Sequence, residues 1–595
     1  MTRQETGYNF CLPLENRAEV SLLLYHAGEK NPVQCIPLDD SFWLGYVVAV
    51  LLELSGEDWE YCWQLDGCLL ADPYARAFSA RPLFGEVWQK ETELLYRATP
   101  LLQSQFDWQQ DAPLELPFED VIMYKLHVRG FTRHPSSKVR ERGTYAGLVE
   151  KIPYLTDLGI TTLELMPAYE FDELNAVDEQ TKTFSYKKPG LSRLNYWGYT
   201  QAAYFAPKRA YCATQSPETE FKMMIRALHK AGLECVMEFY FPEEMNVYSV
   251  MDVLRFWVRE YHVDGFHLLG AGVRSDVLLR DPLLKRSKLL LQDVGDVRNP
   301  LVAEYNEGFM TDIRKFLKSD EGTLAAAVRR VRYHPGTHAV INYVTNHDGF
   351  TLADLVSYDY KHNEANGQKN EDGRTWNYSW NCGQEGETKK LGVKRLRKKQ
   401  MKNAFLFMLL SQGVPLLYAG DEFGNSQQGN NNAYCQDNET GWTDWSGYRR
   451  NKDLREFVRD AIKFRSLHPI LHMDKELRGM DYLAIGYPDI SYHSSRAWYA
   501  PFDDMQRQAG IMYCGTYALE NKAQSDIFLY VGYNFYWEEQ ELALPTLPAG
   551  QSWKLLTDTQ QRDGSWSQSD ALPLADQRVL QIAGRSIMIL IGTDE

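Results

Sequence analysis

Residues 233–269 read LECVMEFYFPEEMNVYSVMDVLRFWVREYHVDGFHLL. The opening LECVMEFYF (233–241) is a short, mostly apolar run of the kind that forms a strand buried on both faces. MDVLRFWVREYH (251–262) then places apolar residues at helical spacing, and VDGFHLL (263–269) is a second apolar run. Strand, amphipathic helix and strand make the unit of a parallel sheet. The same texture extends in both directions, through VIMYKL (121–126), ITTLELMP (160–167), KLLLQD (288–293), PLVAEY (300–305), AVINYVT (339–345) and VPLLYAG (414–420). Amphipathic stretches such as FKMMIRALHKAG (221–232) lie between most of them. Eight strands with intervening helices are the count of a (β/α)8 TIM barrel. An open doubly wound sheet uses the same alternation, but no GxGxxG follows any of these strands.

The flanks have a different texture. AEVSLLLYH (18–26) and FWLGYVVAVLLEL (42–54) are strand-like segments divided by turn residues, which predicts an N-terminal β-sandwich. The polar, proline-containing QQDAPLELPFED (109–120) marks a boundary. Beyond the helical LREFVRDAIKFRSLHP (454–469), strands return in DIFLYVGYNF (526–535), SWKLLTD (552–558) and RSIMILIG (585–592). The expected architecture is multidomain α/β: a sandwich over 1–105, a barrel over 106–471 and a C-terminal all-β domain over 472–595.

The 595 residues exceed what one domain usually holds, and 44% hydrophobic content with 13% aromatics suffices for sizeable cores. A formal charge of −16 argues against nucleic acid or an anionic membrane as a partner. Nine scattered cysteines form no CxxC site and suit reduced thiols in a cytoplasm. The opening MTRQETGYNFCLP has no apolar core of a signal peptide, and no run approaches the length of a membrane span. No cofactor or metal is implied.

Reactive groups of such a barrel sit at the C-terminal ends of its strands. The seventh strand leads into VTNHDGFTLADLVSYDYKHNEANG (344–367), with His347 and Asp348 adjacent. The eighth leads into AGDEFGNSQQGNNNAYCQDNETGWTDW (419–445). Both are far more specific than generic loop composition. They resemble the isoamylase and glycogen-debranching branch of the alpha-amylase superfamily of glycoside hydrolases. The resemblance covers nearly the whole chain: DPYARAFS (72–79) is similar to the end of its glycogen-binding-type sandwich. YKLHVRGFT (124–132) and GTYAGLVEKIPYLTDLGITTLELMP (143–167) resemble its first two barrel strands. NYWGYTQAAYFAP (195–207), SWNCGQEGET (379–388) and GNNNAYCQDNE (429–439) resemble its hallmark loops, and PDISYH (488–493) its C-terminal domain.

The resemblance implies a retaining mechanism, in which an Asp nucleophile and a Glu acid/base lie about 5 Å apart. Here the pattern departs from the family. Its VDGFRFD falls on VDGFHLL, which puts His267 at the family's Arg and Leu269 at its nucleophile. An alkyl group cannot attack a sugar carbon. The family's KLIAEPWD falls on KLLLQDVGD, which puts Gln292 at the acid; an amide donates hydrogen bonds but no proton near neutral pH. Asp293 next to it should face away by strand alternation. The third-strand AGIEVILDVVYNH falls on AGLECVMEFYFPE, so Glu238 replaces an Asp, Pro242 an Asn and Glu243 a sugar-contacting His. A family loop of several dozen residues is absent at this point. What the resemblance retains is substrate binding: His347 and Asp348 match a pair that holds sugar hydroxyls, and Tyr199, beside Trp197, matches an aromatic that stacks on the sugar.

No catalytic residue is therefore expected intact, with Leu269, Gln292, His267, Glu238 and Glu243 at vestigial positions. Tyr199, Trp197, His347 and Asp348 are the candidates for substrate binding. The expected role is in α-glucan metabolism, as a glucan-binding protein or a regulatory partner of an active debranching enzyme. The alternatives are a hydrolase of α-1,6-glucosidic bonds using relocated carboxylates (Glu238, Glu243, Glu244 or Asp293) and a scaffold that binds no sugar.

Overall fold

A parallel sheet buried on both faces has unpaired edges unless it closes on itself. In the computed structural model this one closes. The structure describes residues 2–4, 7–54, 59–79, 83–85, 97–100, 106–173, 193–295, 297–518, 527–560, 566 and 568–594. The barrel strands are, in order, Met123–Leu126, Thr162–Leu165, Glu234–Tyr240, Gly265–Leu269, Lys288–Leu291, Val302–Tyr305, Ala339–Asn342 and Val414–Tyr418. The eighth pairs with the first. Each apolar run read from the sequence supplies one strand.

Helices cover the outside. Pro217–Lys230 starts with proline in its first turn, followed by Glu218 and Glu220, and ends in His229 and Lys230. That polarity matches the helix dipole. Val247–Tyr261 is capped by the Asn246 side chain, which accepts from the Tyr248 N–H at 2.8 Å. Inside, the N-terminal end of the barrel is plugged by Met123, Val236, Leu290, Ala303, Ile341 and Leu416. One step toward the C-terminal end on the same inward column, Met123 gives way to Lys125 and Val236 to Glu238. The barrel interior changes there from hydrocarbon to charge.

N-terminal to the barrel lie two four-stranded sheets around a shared core that includes Phe10, Leu22, Leu24, Val48, Tyr61 and Trp63. C-terminal to it is a six-stranded sheet running Ile490–His493, Gln508–Cys514, Phe528–Asn534, Ser586–Asp594, Gln551–Asp558, Leu572–Pro573.

Only residues 241–246 connect the third strand to its helix. This short connection rests on the turn after the fourth strand. The Phe241 N–H donates to Leu269 O at 2.9 Å, and the Gly272 N–H donates to Phe241 O at 3.1 Å. Gly270 has φ +94°, and a Cβ there would lie 2.2 Å from Phe241 O; a Cβ at Gly272 would lie 2.3 Å from Pro242 O. The LGAG sequence thus lets one loop lie directly on another. Gly270→Ala should cost about 2–4 kcal/mol of barrel stability, from left-handed strain plus the clash. Gly232→Ala, at φ +78° with no atom within 4 Å of its Cβ, should cost only about 1 kcal/mol. Equal losses of the two variants in denaturant titration would show that the loop contact is unimportant.

Candidate functional site

The charged layer is built from adjacent strands. In the sheet register Lys125 lies beside Glu164, and Glu238 lies beside His267. Lys125 Nζ is 2.5 Å from Glu238 Oε1 and 3.3 Å from Glu164 Oε1. His267 Nδ1 lies 2.8 Å from both carboxylates. The Tyr305 hydroxyl donates to Glu164, the Tyr199 hydroxyl donates to Glu238, and the His267 ring stacks on Tyr305 at 4.1 Å. Lys125, Glu164 and Glu238 have no exposed side-chain surface.

Burial opposes ionisation at all four charged groups, and the opposite charges overcome it. Lys125 is raised by Glu238 and Glu164, against desolvation. Glu164 and Glu238 are both held below the usual carboxylate range, chiefly by Lys125 and His267. His267 is raised by the same two carboxylates. Two cations and two anions give a neutral cluster, the condition under which buried charge is tolerated. One atom is left over: His267 Nε2 is buried without a hydrogen-bond partner. Glu164, Glu238 and His267 have the donor types of a metal site, their ligand atoms lying within 4.8 Å of one another. The Lys125 ammonium already takes the cation's place between the carboxylates, so the donor set does not fit a resident metal.

Above this layer is the barrel mouth. Tyr199 is hydrogen-bonded to Glu238 and stacks on His347 with ring centroids 5.1 Å apart. Trp197 meets the same imidazole edge-on at 4.8 Å. Burial and the nearby Lys125 charge keep His347 neutral, well below the usual histidine range. Its Nδ1 faces Asn346 Oδ1 at 3.0 Å. Asp348 accepts from Arg374 Nη2 at 2.7 Å, and Arg374 Nη1 donates to Glu307 at 2.6 Å. Leu269 ends the fourth strand with the inward parity of His267, whereas Gln292 lies just past the fifth strand, which ends at Leu291. Leu269 is half-buried; Gln292, Asp293, Glu243 and Glu244 are exposed. The Asp293 carboxylate accepts from the Gly295 N–H at 3.0 Å, in its own loop.

No protein-family model matches the chain. Over 583 residues it is 33% identical to isoamylase 1, chloroplastic, of Arabidopsis thaliana, covering 78% of this chain and 74% of the relative. Over 588 residues it is 32% identical to the glycogen operon protein GlgX homolog of Mycobacterium tuberculosis, covering 80% and 79%. The chain belongs to the isoamylase and glycogen-debranching family. Its fold is similar to that of pullulanase from Paenibacillus barengoltzii, solved in complex with maltohexaose and alpha-cyclodextrin. That match has a TM-score of 0.67 and 19% identity, over 98% of this chain and 93% of that one.

For an isoamylase-family barrel, one expectation from the sequence needs correction. His267 and Glu238 are not leftovers: both belong to the ionic cluster inside the barrel. Glu243, the other position read as vestigial in that strand's motif, is exposed. The sequence reading also missed Lys125, Glu164 and Tyr305. The available signal was a charge at an inward position of two buried strands, in MYKL and TLEL. Among the described residues no helix is long and apolar enough to cross a membrane.

Lys125→Met tests the cluster. Glu238 has a depressed folded-state pKa, so its contribution is present above the ordinary value of about 4.3 and lost as pH falls through the folded value. His267 has a raised one, so its contribution is present below about 6.5 and lost as pH rises through the folded value. Without the lysine, ionised Glu238 and Glu164 become a cost. The variant should lose about 3–5 kcal/mol at pH 8, and clearly less at pH 5, where a carboxyl can take up a proton. Urea titrations at the two pH values measure this; a loss independent of pH would remove the charge-balance account.

Proposed function

We propose that the chain is a member of the isoamylase family that no longer hydrolyses and serves as a glucan-binding protein or a regulatory partner of an active debranching enzyme. Three units carry it: a sandwich (1–105), a barrel (106–471) and a C-terminal β domain (472–595). The observation that carries the reading is the state of the carboxylates. The positions that the family resemblance gives to the nucleophile and the acid hold an alkyl group and an amide, Leu269 and Gln292. Glu164 and Glu238 are close enough to suggest the pair of a retaining glycosidase, which favours the alternative of relocated chemistry. Access and protonation argue against it. Neither carboxylate reaches solvent, and both are held ionised, whereas a general acid needs a raised pKa. Asp348 and Glu307 are accessible, but one guanidinium binds both.

Binding needs none of the missing groups. Tyr199 and Trp197 supply aromatic surface, and His347 and Asp348 supply polar atoms beside it. A related pullulanase holds maltohexaose, which supports an α-glucan as the ligand. All nine cysteines are free, which supports a reducing compartment, and we assign the cytoplasm.

Purified protein should release no reducing ends from glycogen, pullulan or branched dextrins between pH 4 and 9, while glycogen still retards it in affinity electrophoresis. Leu269→Asp with Gln292→Glu should restore little activity, because the third-strand loop is also missing. Robust hydrolysis by the unmodified protein, abolished in a folded Glu238→Gln variant, would establish relocated chemistry instead.

A further inference from the structure

The C-terminal sheet carries a local violation of backbone preference beside a pair of exposed aromatic residues. After the strand Ile490–His493 the chain makes a tight turn, Arg496-Ala497-Trp498-Tyr499, closed by an antiparallel bridge between Arg496 and Tyr499. Trp498 occupies the second central position with φ +64°. Glycine or asparagine ordinarily fills such a position, and for a bulky side chain it is a real outlier. A tryptophan there would be unremarkable if its ring filled the core. It does not: Trp498 is 48% exposed and Tyr499 55% exposed. The indole touches the Tyr487 and His493 rings at centroid separations of 6.2 and 5.1 Å and otherwise faces outward.

The turn is also held rigidly. The Trp498 N–H donates to His493 Nδ1 at 2.9 Å. His493 is fully buried, and burial lowers its pKa to about 4, so this nitrogen stays available as an acceptor. Its Nε2 lies 2.9 Å from Ser491 Oγ. Ser494 donates to Tyr499 O twice, from its N–H at 3.0 Å and its hydroxyl at 2.7 Å. Two adjacent aromatic side chains are thus presented to solvent on a pinned, strained backbone. Strain kept at a side chain that is only half covered directs attention to the position as a functional one.

We propose that Trp498 and Tyr499 form a second α-glucan-binding platform, outside the barrel mouth, on which pyranose rings stack. Half-exposed aromatic rings can stack on the C–H faces of sugar rings, and the exposed Arg496, Asp503 and Asp504 nearby in the chain offer partners for hydroxyls. A protein partner would be the other occupant of such a surface, and the ligand chemistry of the barrel favours the glucan. The inference rests on the α-glucan reading above and adds a separate place for the polymer to be held.

Trp498→Gly tests it, because glycine suits the turn and removes the ring. Affinity electrophoresis in glycogen gels would compare it with the unmodified protein, Trp498→Phe and Tyr199→Ala, alongside thermal unfolding and size-exclusion chromatography. Trp498→Gly should bind glycogen about three- to tenfold more weakly. It should also unfold about 1 °C higher, since the backbone strain is relieved. Trp498→Phe should keep most of the affinity, and neither variant should change in mass. Unchanged glycogen affinity in Trp498→Gly, with Tyr199→Ala still weakening it, would overturn the platform and leave the barrel reading standing. A lowered unfolding temperature would make Trp498 structural, and a shift in oligomeric mass would make it a protein interface; either overturns the proposal. An unmodified protein that glycogen does not retard at all would overturn the α-glucan reading, and this platform with it.

Discussion

The ion pair between Lys125 and Glu238 is the constraint around which this barrel is organised. The two residues come from the first and third strands, and Glu164 of the second lies between them. With His267 on the fourth, four successive strands meet at one point inside the barrel. Such a cluster adds little net stability, because desolvation offsets most of the attraction. Its effect is to specify. A one-residue slip in any of these strands would send a charge into the apolar layer beneath the helices and leave its partners uncompensated.

That arrangement determines what the mouth above can offer. Tyr199 is held at its hydroxyl by Glu238 and at its ring by His347, so it cannot turn freely toward or away from a ligand. Burial and the lysine charge keep His347 uncharged, which suits hydrogen bonding and leaves no proton to deliver at neutral pH. Asp348 is oriented by Arg374, which is itself tied to Glu307. The same charges that balance the interior thus also set the protonation of His347 above it.

The barrel was legible because parallel strands buried on both faces leave continuous apolar runs, and each run from VIMYKL to VPLLYAG forms its strand. The inward parity of Leu269 was legible for the same reason, since a strand's period of two leaves little choice. The cluster was not. Lys125 is separated from Glu238 by 113 positions, and Glu164 from His267 by 103, so no local pattern announces that they meet. The lysine in MYKL and the glutamate in TLEL were visible only as oddities, each needing the other's position to make sense. Trp498 carries no sequence signal at all, because its anomaly is a backbone angle.

The departures at the third and fourth strands are one structural change rather than two. Phe241 donates its N–H to Leu269 O, and Gly270 and Gly272 leave no room for a side chain against the carbonyls of Phe241 and Pro242. A long loop after the third strand would have to pass through the space this contact occupies. A carboxylate at position 269 would stand one step above His267, whose Nδ1 is already shared between two anions. It would add a third negative charge beside a cluster that is neutral without it, and no arginine stands at 267 to receive it. The leucine suits the short loop, the short loop needs the glycines, and an uncharged side chain at 269 leaves the charge balance of the cluster beneath it unaltered.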